Sequence, residues 1–177
     1  MSHATDGRTR IPAPFAAAMV LCAGLMAPQT SVAACDGGVY DLPSQFVGTW
    51  REYTVTDTGE VFAGTLRSEM TVGGCGYRQA FTSADGTFSF RSLGYVDAQQ
   101  QAWRETVVTS TGRVAHYRWR AEGTDVVFDR LADDGIPRRR LRATAVAPDS
   151  YDVVDERSAD GGRNWDAGQI TRIRRVE

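Results

Sequence analysis

Short runs of alternating apolar and polar residues, separated by Asp and Gly turn signals, constrain most strongly how this chain can fold. Alternation with a period of two places successive side chains on opposite faces of a strand, and Asp-Gly pairs supply the positive φ angles of tight hairpins. Such signals occur at Asp57-Thr58-Gly59, Asp85-Gly86, Thr111-Gly112, Glu122-Gly123, Asp134-Gly135 and Asp160-Gly161-Gly162. No long stretch has the 3.6-residue apolar period of a helix, so the sequence predicts an all-β fold of antiparallel strands.

The pattern predicts about ten strands, near residues 46–56, 61–72, 76–84, 87–96, 102–110, 113–121, 124–131, 137–147, 150–158 and 164–175. Strands in simple succession favour an antiparallel up-and-down β-barrel, because closing the sheet removes the exposed edges that promote aggregation. A two-sheet sandwich is the alternative, although the sequence shows no long cross-over connection of the kind that a Greek key needs.

An apolar run near the start of the chain, Ile11–Ala27, follows two arginines and precedes the small residues Ser31–Ala34. This arrangement is typical of a secretory signal with its cleavage site, and the run is shorter than the about 20 apolar residues of a membrane-spanning helix. We therefore expect residues 1–34 to be a signal peptide, residues 35–45 to be a lead-in, and residues 46–177 to form the barrel. With no second apolar stretch that could cross a membrane, an exported, periplasmic or extracellular protein is predicted.

Two cysteines, Cys35 and Cys75, remain after the predicted cleavage. In an oxidising compartment such a pair is expected to form a disulfide, which would tie the mature N-terminus to the domain. Lipoprotein anchoring at Cys35 is the alternative, because Val32–Cys35 also resembles a bacterial lipobox. The segment Pro28–Ser31 separates the apolar run from the cysteine by more residues than a lipobox usually allows, which favours the disulfide.

The basic residues exclude several kinds of chemistry. All 20 are arginine, which excludes Schiff-base catalysis and the P-loop lysine. After cleavage His116 is the one histidine, which excludes a poly-histidine metal site. The net charge of −2 becomes −3 when Arg8, Arg10 and Asp6 are removed, and a mildly acidic domain binds nucleic acid poorly. We therefore predict no metal, no cofactor and no nucleic-acid partner.

Two predicted strands carry the same tripeptide, Trp-Arg-Glu, at residues 50–52 and 103–105. Alternation places Trp50 and Glu52 on one face of the first strand, and Trp103 and Glu105 on one face of the fifth. If these faces point inward, carboxylates enter the barrel. Burial would raise their pKa and prepare them for general acid–base chemistry.

Several motifs carry a resemblance to a known superfamily. Gly48-Thr49-Trp50 on the first strand, with Arg172 and Arg174 on the last, resembles the calycins, which include lipocalins and fatty-acid-binding proteins. There the tryptophan of a G-x-W motif closes one end of the barrel beneath a basic residue of the final strand, in a cation–π contact. Further segments resemble, in order, a bacterial group of lipocalin-like barrels without a characterised function: Phe46–Trp50, Gly73–Cys75, Gly94–Asp97 with Trp103-Arg104, and Asp155–Trp165. The resemblance covers nearly all of residues 44–176 and implies a barrel with an internal cavity, but no particular activity.

We predict that an apolar or amphipathic small molecule binds in this cavity, with aromatic contacts and a polar end held by charged side chains. The predicted ligand-binding residues are Trp50, Glu52, Glu69, Arg91, Trp103, Glu105, His116 and Arg118. The glutamates would instead be structural if they pair with Arg91, Arg118 or Arg157 in a polar barrel interior.

The sixth strand leaves its orientation open. His116 and Arg118 share one face, whereas Tyr117 and Trp119 share the other, and alternation alone does not say which face is interior. With His116 inside, it would serve as a base and Arg118 as an anion anchor. With Tyr117 and Trp119 inside, His116 is solvated.

Three functions remain open at this stage. Four tryptophans and the lack of a convincing catalytic constellation favour a small-molecule-binding protein. The second is a cofactor-free isomerase or cyclase in which Glu105 or His116 moves one proton. The third is an interaction module with a filled barrel and a functional outer surface.

Overall fold

The computed structural model describes residues 35, 37–132 and 138–176, so the predicted signal segment 1–34 lies outside the described residues. The strands are β1 Gly48–Thr56, β2 Gly59–Thr71, β3 Gly76–Ser83, β4 Ser89–Asp97, β5 Ala102–Thr109, β6 Val114–Glu122, β7 Asp125–Arg130, β8 Arg139–Thr144, β9 Ser150–Arg157 and β10 Asp166–Arg175. Each is antiparallel to its neighbours, and β1 pairs with β10 to close the sheet in the order β1-β10-β9-β8-β7-β6-β5-β4-β3-β2. The predicted all-β up-and-down barrel is confirmed, with every strand boundary within three residues of its predicted position.

The β3–β4 turn shows how the Asp and Gly signals form hairpins. Asp85 Oδ1 accepts hydrogen bonds from Ser83 Oγ at 2.6 Å and from the Thr87 backbone N–H at 3.1 Å. Gly86 then adopts a φ of 72°, a left-handed conformation that glycine reaches without steric cost. Turns of this kind hold neighbouring strands antiparallel, so that each strand presents one face to the barrel interior and the other to solvent.

The N-terminal segment closes one end of the barrel, which we call the closed end. It forms two short 3-10 helices, Gly38–Asp41 and Ser44–Phe46. Trp103 Nε1 donates a hydrogen bond to the Val39 carbonyl oxygen, and Trp50 Nε1 donates one to the Phe46 carbonyl oxygen at 2.8 Å. The two indole groups therefore anchor the segment across the end of the barrel while satisfying their own buried donors.

A disulfide between Cys35 and Cys75 fastens the same segment to the loop between β2 and β3. This loop contains a third 3-10 helix, Val72–Gly74. The predicted pairing of the two cysteines is confirmed by the structure. The bridge engages the Cys35 thiol, which the alternative of lipid attachment requires to be free.

Aromatic rings fill the barrel at the closed end. The buried members, each at most 4 % exposed, are Phe46, Trp50, Tyr77, Trp103, Trp119 and Tyr151. Their edge-to-face contacts include Trp50 with Tyr151, at 5.1 Å between ring centroids, and Tyr77 with Trp119 at 5.2 Å. Interlocked rings of this size fill space densely and resist rearrangement, so the closed end provides a rigid base for the interior above it.

Arginine–carboxylate pairs cover the outer face of β6 to β9. Asp129, only 3 % exposed, lies within 3.5 Å of Arg118 Nη2 and accepts a hydrogen bond from Arg120 Nε at 2.9 Å. Arg140 and Arg142 both contact the Glu156 carboxylate. The outward-facing arginines Arg118, Arg120, Arg140 and Arg142 are therefore held in structural ion pairs. Among the described residues, no helix has the length and apolar character needed to span a membrane.

Candidate functional site

Trp50 lies near the start of β1, at the closed end of the barrel. The Arg175 guanidinium stacks over its ring at 4.0 Å from the centroid, and Arg175 Nη1 donates a hydrogen bond to the Val47 carbonyl oxygen at 2.9 Å. Gly48 has a φ of 140°, and a Cβ at this position would lie 2.2 Å from Arg175 Nη1. Gly48 is thus required both by its backbone conformation and by the space that the guanidinium occupies.

The basic partner of Trp50 differs from the expected one. Arg172 and Arg174 were expected to provide the cation, but both point outward, where they contact the Glu60 carboxylate. The pairing of β1 with β10 sets Arg175 directly opposite Trp50, so Arg175 makes the contact. The correction is a matter of register, because a shift of one residue exchanges the two faces of a strand.

Above these rings the barrel interior holds a cavity of about 680 Å³. It extends to the β5–β6 turn, where Thr111 and Arg113 are exposed, and we call this the open end. Most of its wall is apolar or aromatic. The lining comprises Phe46, Glu52, Leu66, Gln79, Phe88, Phe90, Glu105, Val107, Thr109, Thr111, Arg113, Val114, Ala115, Tyr117, Trp119, Phe128, Arg130, Arg139, Leu141, Tyr151, Val153, Thr171 and Ile173.

Glu52 projects into this cavity from β1. It lies opposite Gly64 of β2 and Ile173 of β10, beside a β-bulge at which the β1–β2 register shifts. Bulges commonly re-aim a side chain next to a functional site. Burial raises the pKa of Glu52 to about 7, and no hydrogen bond or cation among the described residues opposes that rise. Near neutral pH this carboxyl is therefore divided between its neutral and ionised forms.

Glu105 projects into the cavity from β5 and is only 5 % exposed. Its Oε2 accepts a hydrogen bond from Trp119 Nε1 at 3.0 Å, whereas its Oε1 has no partner among the described residues. Burial raises the pKa of Glu105, and the nearby Ser92 hydroxyl and the Trp119 indole oppose this in part. Ser92 Oγ lies close to Glu105, but neither it nor Ser68 Oγ makes a hydrogen bond of normal geometry within the described part of the chain.

The two glutamates come from nearly opposite walls. Around the barrel, β1 and β5 are separated by three strands on one side and by five on the other. Each glutamate follows a fully buried tryptophan of the closed end by two residues, Trp50 for Glu52 and Trp103 for Glu105. The repeated Trp-Arg-Glu tripeptide therefore places two carboxyls at the same depth, just above the aromatic rings. We call Glu52 and Glu105 the acidic floor of the cavity.

Arginines mark the opposite, open part of the cavity. Arg139 donates two hydrogen bonds to the Asp155 carboxylate, both at 2.8 Å. Arg130 and Arg113 also line the wall. Burial raises the pKa of Tyr117, and Arg139 and Arg130 partly offset this rise. The interior is thus polarised, with carboxyls near the closed end and guanidinium groups towards the open end.

The structure divides the predicted site residues into three groups. Glu52 and Glu105 line the cavity, and their role in binding a ligand stays a prediction. Trp50 and Trp103 are fully buried in the closed end and are absent from the cavity wall. The remaining residues have side chains on the outer face of the barrel and need correction: Glu69, Arg91, His116 and Arg118.

Strand parity explains the outward residues of β2 and β4. Glu69 alternates with the inward-facing Ser68 and forms an exposed ion pair with Arg78. Arg91 alternates with the inward-facing Phe90 and Ser92, and Arg91 Nη1 donates to the Phe90 carbonyl oxygen at 2.9 Å. Neither residue lines the interior cavity, so the structure excludes both their pairing across the interior and their contact with a ligand bound there.

The pairing of β6 with β5 fixes the orientation of β6. Trp103 pairs with Trp119 and Glu105 pairs with Tyr117, and directly opposed residues share a face of the sheet. Tyr117 and Trp119 are therefore interior. His116 is exposed and lies 3.0 Å from Thr106 Oγ1 through its Nδ1, which removes it as the base of a reaction inside the barrel.

Sequence reasoning missed Tyr151, Arg130 and Arg139 as cavity residues. Tyr151, Val153 and Asp155 share one face of β9. The sequence shows this pattern but does not indicate that this face is the inner one. Arg139 belongs to a run of arginines in which only alternation separates inward from outward members.

Across residues 35, 37–132 and 138–176, no three His, Cys, Asp or Glu side chains converge as a metal site.

Comparisons with known proteins give only distant similarities. No family model matches the chain, and no curated protein matches it. One similar solved structure is a de novo designed fluorescence-activating β-barrel, 19 % identical, covering 77 % of this chain and 98 % of that chain with a TM-score of 0.38. Another is an S-type phycobiliprotein lyase from Guillardia theta, 14 % identical, covering 85 % and 99 % with a TM-score of 0.45. Neither similarity is strong enough to identify a shared function.

Proposed function

We propose that this protein binds an apolar or amphipathic small molecule inside its barrel. The observation that carries the proposal is a cavity of about 680 Å³ that combines aromatic walls with the carboxyls of the half-buried Glu52 and the buried Glu105, which lack full hydrogen-bond partners among the described residues. Interiors that serve packing alone are filled by side chains, and their buried polar groups are paired. An interaction module with a filled barrel therefore fits the interior less well.

The arrangement of the wall supports an amphipathic rather than a purely apolar ligand. Phe88, Phe90 and Phe128 offer rings against which an apolar body can pack. Glu52 and Glu105 offer hydrogen-bonding groups at one end of that space. A few polar groups converging on one part of an otherwise apolar pocket fix the orientation of a ligand.

A matched pair of variants tests the proposal. Val107 lines the cavity, whereas its neighbour Val108 points outward and is 47 % exposed. We expect the oxidised domain, residues 35–177, to bind the neutral probe N-phenyl-1-naphthylamine with a rise in probe fluorescence. Val107→Trp fills the cavity and should weaken this binding at least about tenfold, whereas Val108→Trp should leave it unchanged.

The control for folding is circular dichroism of both variants, since the two substitutions introduce the same side chain at adjacent positions. Equal loss of binding in the two variants would place the probe outside the cavity. Absence of binding by the folded wild-type domain would contradict a cavity open to apolar molecules. Native mass spectrometry of protein from its own host would then identify any molecule that co-purifies, by the mass lost on denaturation.

A cofactor-free isomerase or cyclase is the second candidate, favoured by the pKa of about 7 of Glu52 in the cavity wall. A general acid or base works best when its pKa lies near the working pH. Glu105, whose pKa is also raised by burial, is a further candidate for moving the proton. If the co-purifying molecule is converted by wild type and bound but not converted by Glu52→Gln, the enzyme is favoured over the binding protein.

We also propose that the protein is exported and that residues 1–34 are its signal peptide. The Cys35–Cys75 disulfide supports this, because disulfides persist in oxidising compartments. Intact mass spectrometry of the protein from its host tests it. A chain beginning at Cys35 and two hydrogens lighter than the reduced form is expected, whereas a mass increase matching acylation at Cys35 would establish the lipoprotein.

Membership of the calycin superfamily is likewise a proposal. Two features support it. The ten strands form a meander, and the Arg175 guanidinium stacks over Trp50 of the G-x-W motif, in the space next to its glycine, Gly48. An experimental structure of a sequence intermediate between this chain and a lipocalin tests it. A barrel in which this tryptophan–arginine contact is absent would count against common descent.

A further inference from the structure

We propose that the acidic floor binds the protonated amine of an amphipathic ligand, whose apolar body extends towards the open end. This inference names the ligand class of the cavity and rests on the proposed binding function. It starts from the unmet bonding capacity of Glu52 and Glu105, which lie on opposite walls at one depth. A cationic group bound near the floor is attracted by both carboxylates and can donate a hydrogen bond to either.

Glu105 supplies the first open acceptor. It is 5 % exposed, lines the cavity, and is held in place by the Trp119 indole, yet its Oε1 has no partner among the described residues. A buried carboxyl with an open acceptor position is costly unless another group fills that position. A donor of a ligand bound beside Glu105 would fill this open position.

Glu52 adds a second acceptor and the same sign of charge. It has no hydrogen-bond partner among the described residues, and no arginine offsets its burial. The arginines of the wall, Arg113, Arg130 and Arg139, belong to the open part of the cavity instead. Among the residues that the structure describes, the floor therefore lacks a cation, and a ligand ammonium group would supply both the positive charge and up to three N–H donors.

The surrounding rings suit the same ligand. Trp119, Phe128, Phe46 and Tyr151 line the cavity around the floor, and Trp119 meets Phe128 edge to face at 4.6 Å between centroids. Ring faces attract cations, and the attraction grows when water is excluded. An anionic group would meet two carboxyls here, so the geometry disfavours a carboxylate at the floor.

Three probes with one aromatic body test the proposal: 1-naphthylmethylamine, 1-naphthalenemethanol and 1-naphthoate. Binding to the oxidised domain at pH 7.5 is measured from the quenching of tryptophan fluorescence and by calorimetry. We expect the amine to bind at least about tenfold more tightly than the alcohol, and the carboxylate to bind most weakly.

Variants then assign the preference to the floor. Glu52→Gln and Glu105→Gln keep the shape of each side chain and remove its charge. Each should reduce the affinity for the amine about tenfold and leave that for the alcohol within about twofold. Glu69→Gln is the control, since it removes a glutamate from the outer face, and it should change neither affinity.

The possible results separate this inference from the function on which it rests. Equal or tighter binding of the alcohol or the carboxylate overturns the inference but leaves a binding cavity. An amine preference that survives both glutamine substitutions also overturns it. If N-phenyl-1-naphthylamine binds but none of the three probes does, the inference fails alone. If none of the four molecules binds, the proposed function fails with it.

Discussion

Replacing Glu52 with glutamine should stabilise the protein in a pH-dependent way. Burial raises the pKa of Glu52 from 4.5 to about 7, so the folded state holds a proton that the unfolded state has released over this range. The wild type therefore loses stability as the pH rises from about 4.5 to about 7. A shift of this size corresponds to about 3 kcal/mol, which Glu52→Gln avoids because its amide carries no charge.

Urea denaturation of the oxidised domain at pH 4.5 and at pH 8 measures this effect. At the lower pH the two proteins should be of similar stability, and at the higher pH Glu52→Gln should be more stable by about 3 kcal/mol. With a denaturant slope of about 2 kcal/mol per molar, the midpoint of the variant would lie about 1.5 M higher at pH 8. Glu105 contributes in the same direction, but it is present in both proteins and cancels from the difference.

Glu69→Gln is the matched control, because it removes a carboxyl of the outer face that is 53 % exposed and paired with Arg78. Its stability should follow the wild-type curve at both pH values. The reasoning is refuted if the difference between Glu52→Gln and wild type is the same at pH 4.5 and at pH 8. Such a result would mean that water reaches the Glu52 carboxyl freely.

Two further predictions concern the closed end. The Cys35–Cys75 bridge spans 40 residues of sequence, so replacing both cysteines with serine should destabilise the domain by about 4 kcal/mol in the chain-entropy model; equal urea midpoints would contradict it. Gly48→Ala should lower the free energy of unfolding by about 1–3 kcal/mol through backbone strain, and the added methyl group should also displace Arg175. Gly59→Ala is the control, because Gly59 has a φ of 130° with nothing within 4 Å of the added Cβ, so that this substitution introduces the backbone strain alone. Thermal denaturation should therefore show a larger loss for Gly48→Ala, and equal losses would show that the guanidinium contact contributes nothing.

Local turn chemistry explains why the barrel could be predicted from the sequence. Strand ends coincide with Asp and Gly positions whose backbone conformation other residues adopt only with strain, as at Gly86. The orientation of β6 was also within reach. The short turn around Thr111-Gly112 sets Trp119 opposite Trp103, so an inward Trp103 requires an inward Trp119 and an outward His116.

Other parts of the site depend on contacts that no local pattern encodes. On β2 the register with β1 shifts at the bulge, so that Phe62 lies opposite Tyr53 and Gly64 lies opposite Glu52. Strict alternation therefore fails along this strand, and the outward position of Glu69 cannot be counted from its beginning. Arg175 rather than Arg174 covers Trp50 because β1 and β10, the first and last strands, set their register only when the barrel closes.

The energetics of the acidic floor favour a ligand over a purely structural role. Keeping Glu52 ionised in an apolar wall destabilises the fold, and a glutamine or leucine of similar size would remove that cost. Glu105 is buried still more deeply, and its hydrogen bond from Trp119 leaves its Oε1 without a partner among the described residues. Two such groups at one depth on opposite walls do not stabilise the barrel by themselves. A bound group that supplies donors and positive charge would convert both from a source of instability into the strongest polar contacts of the cavity.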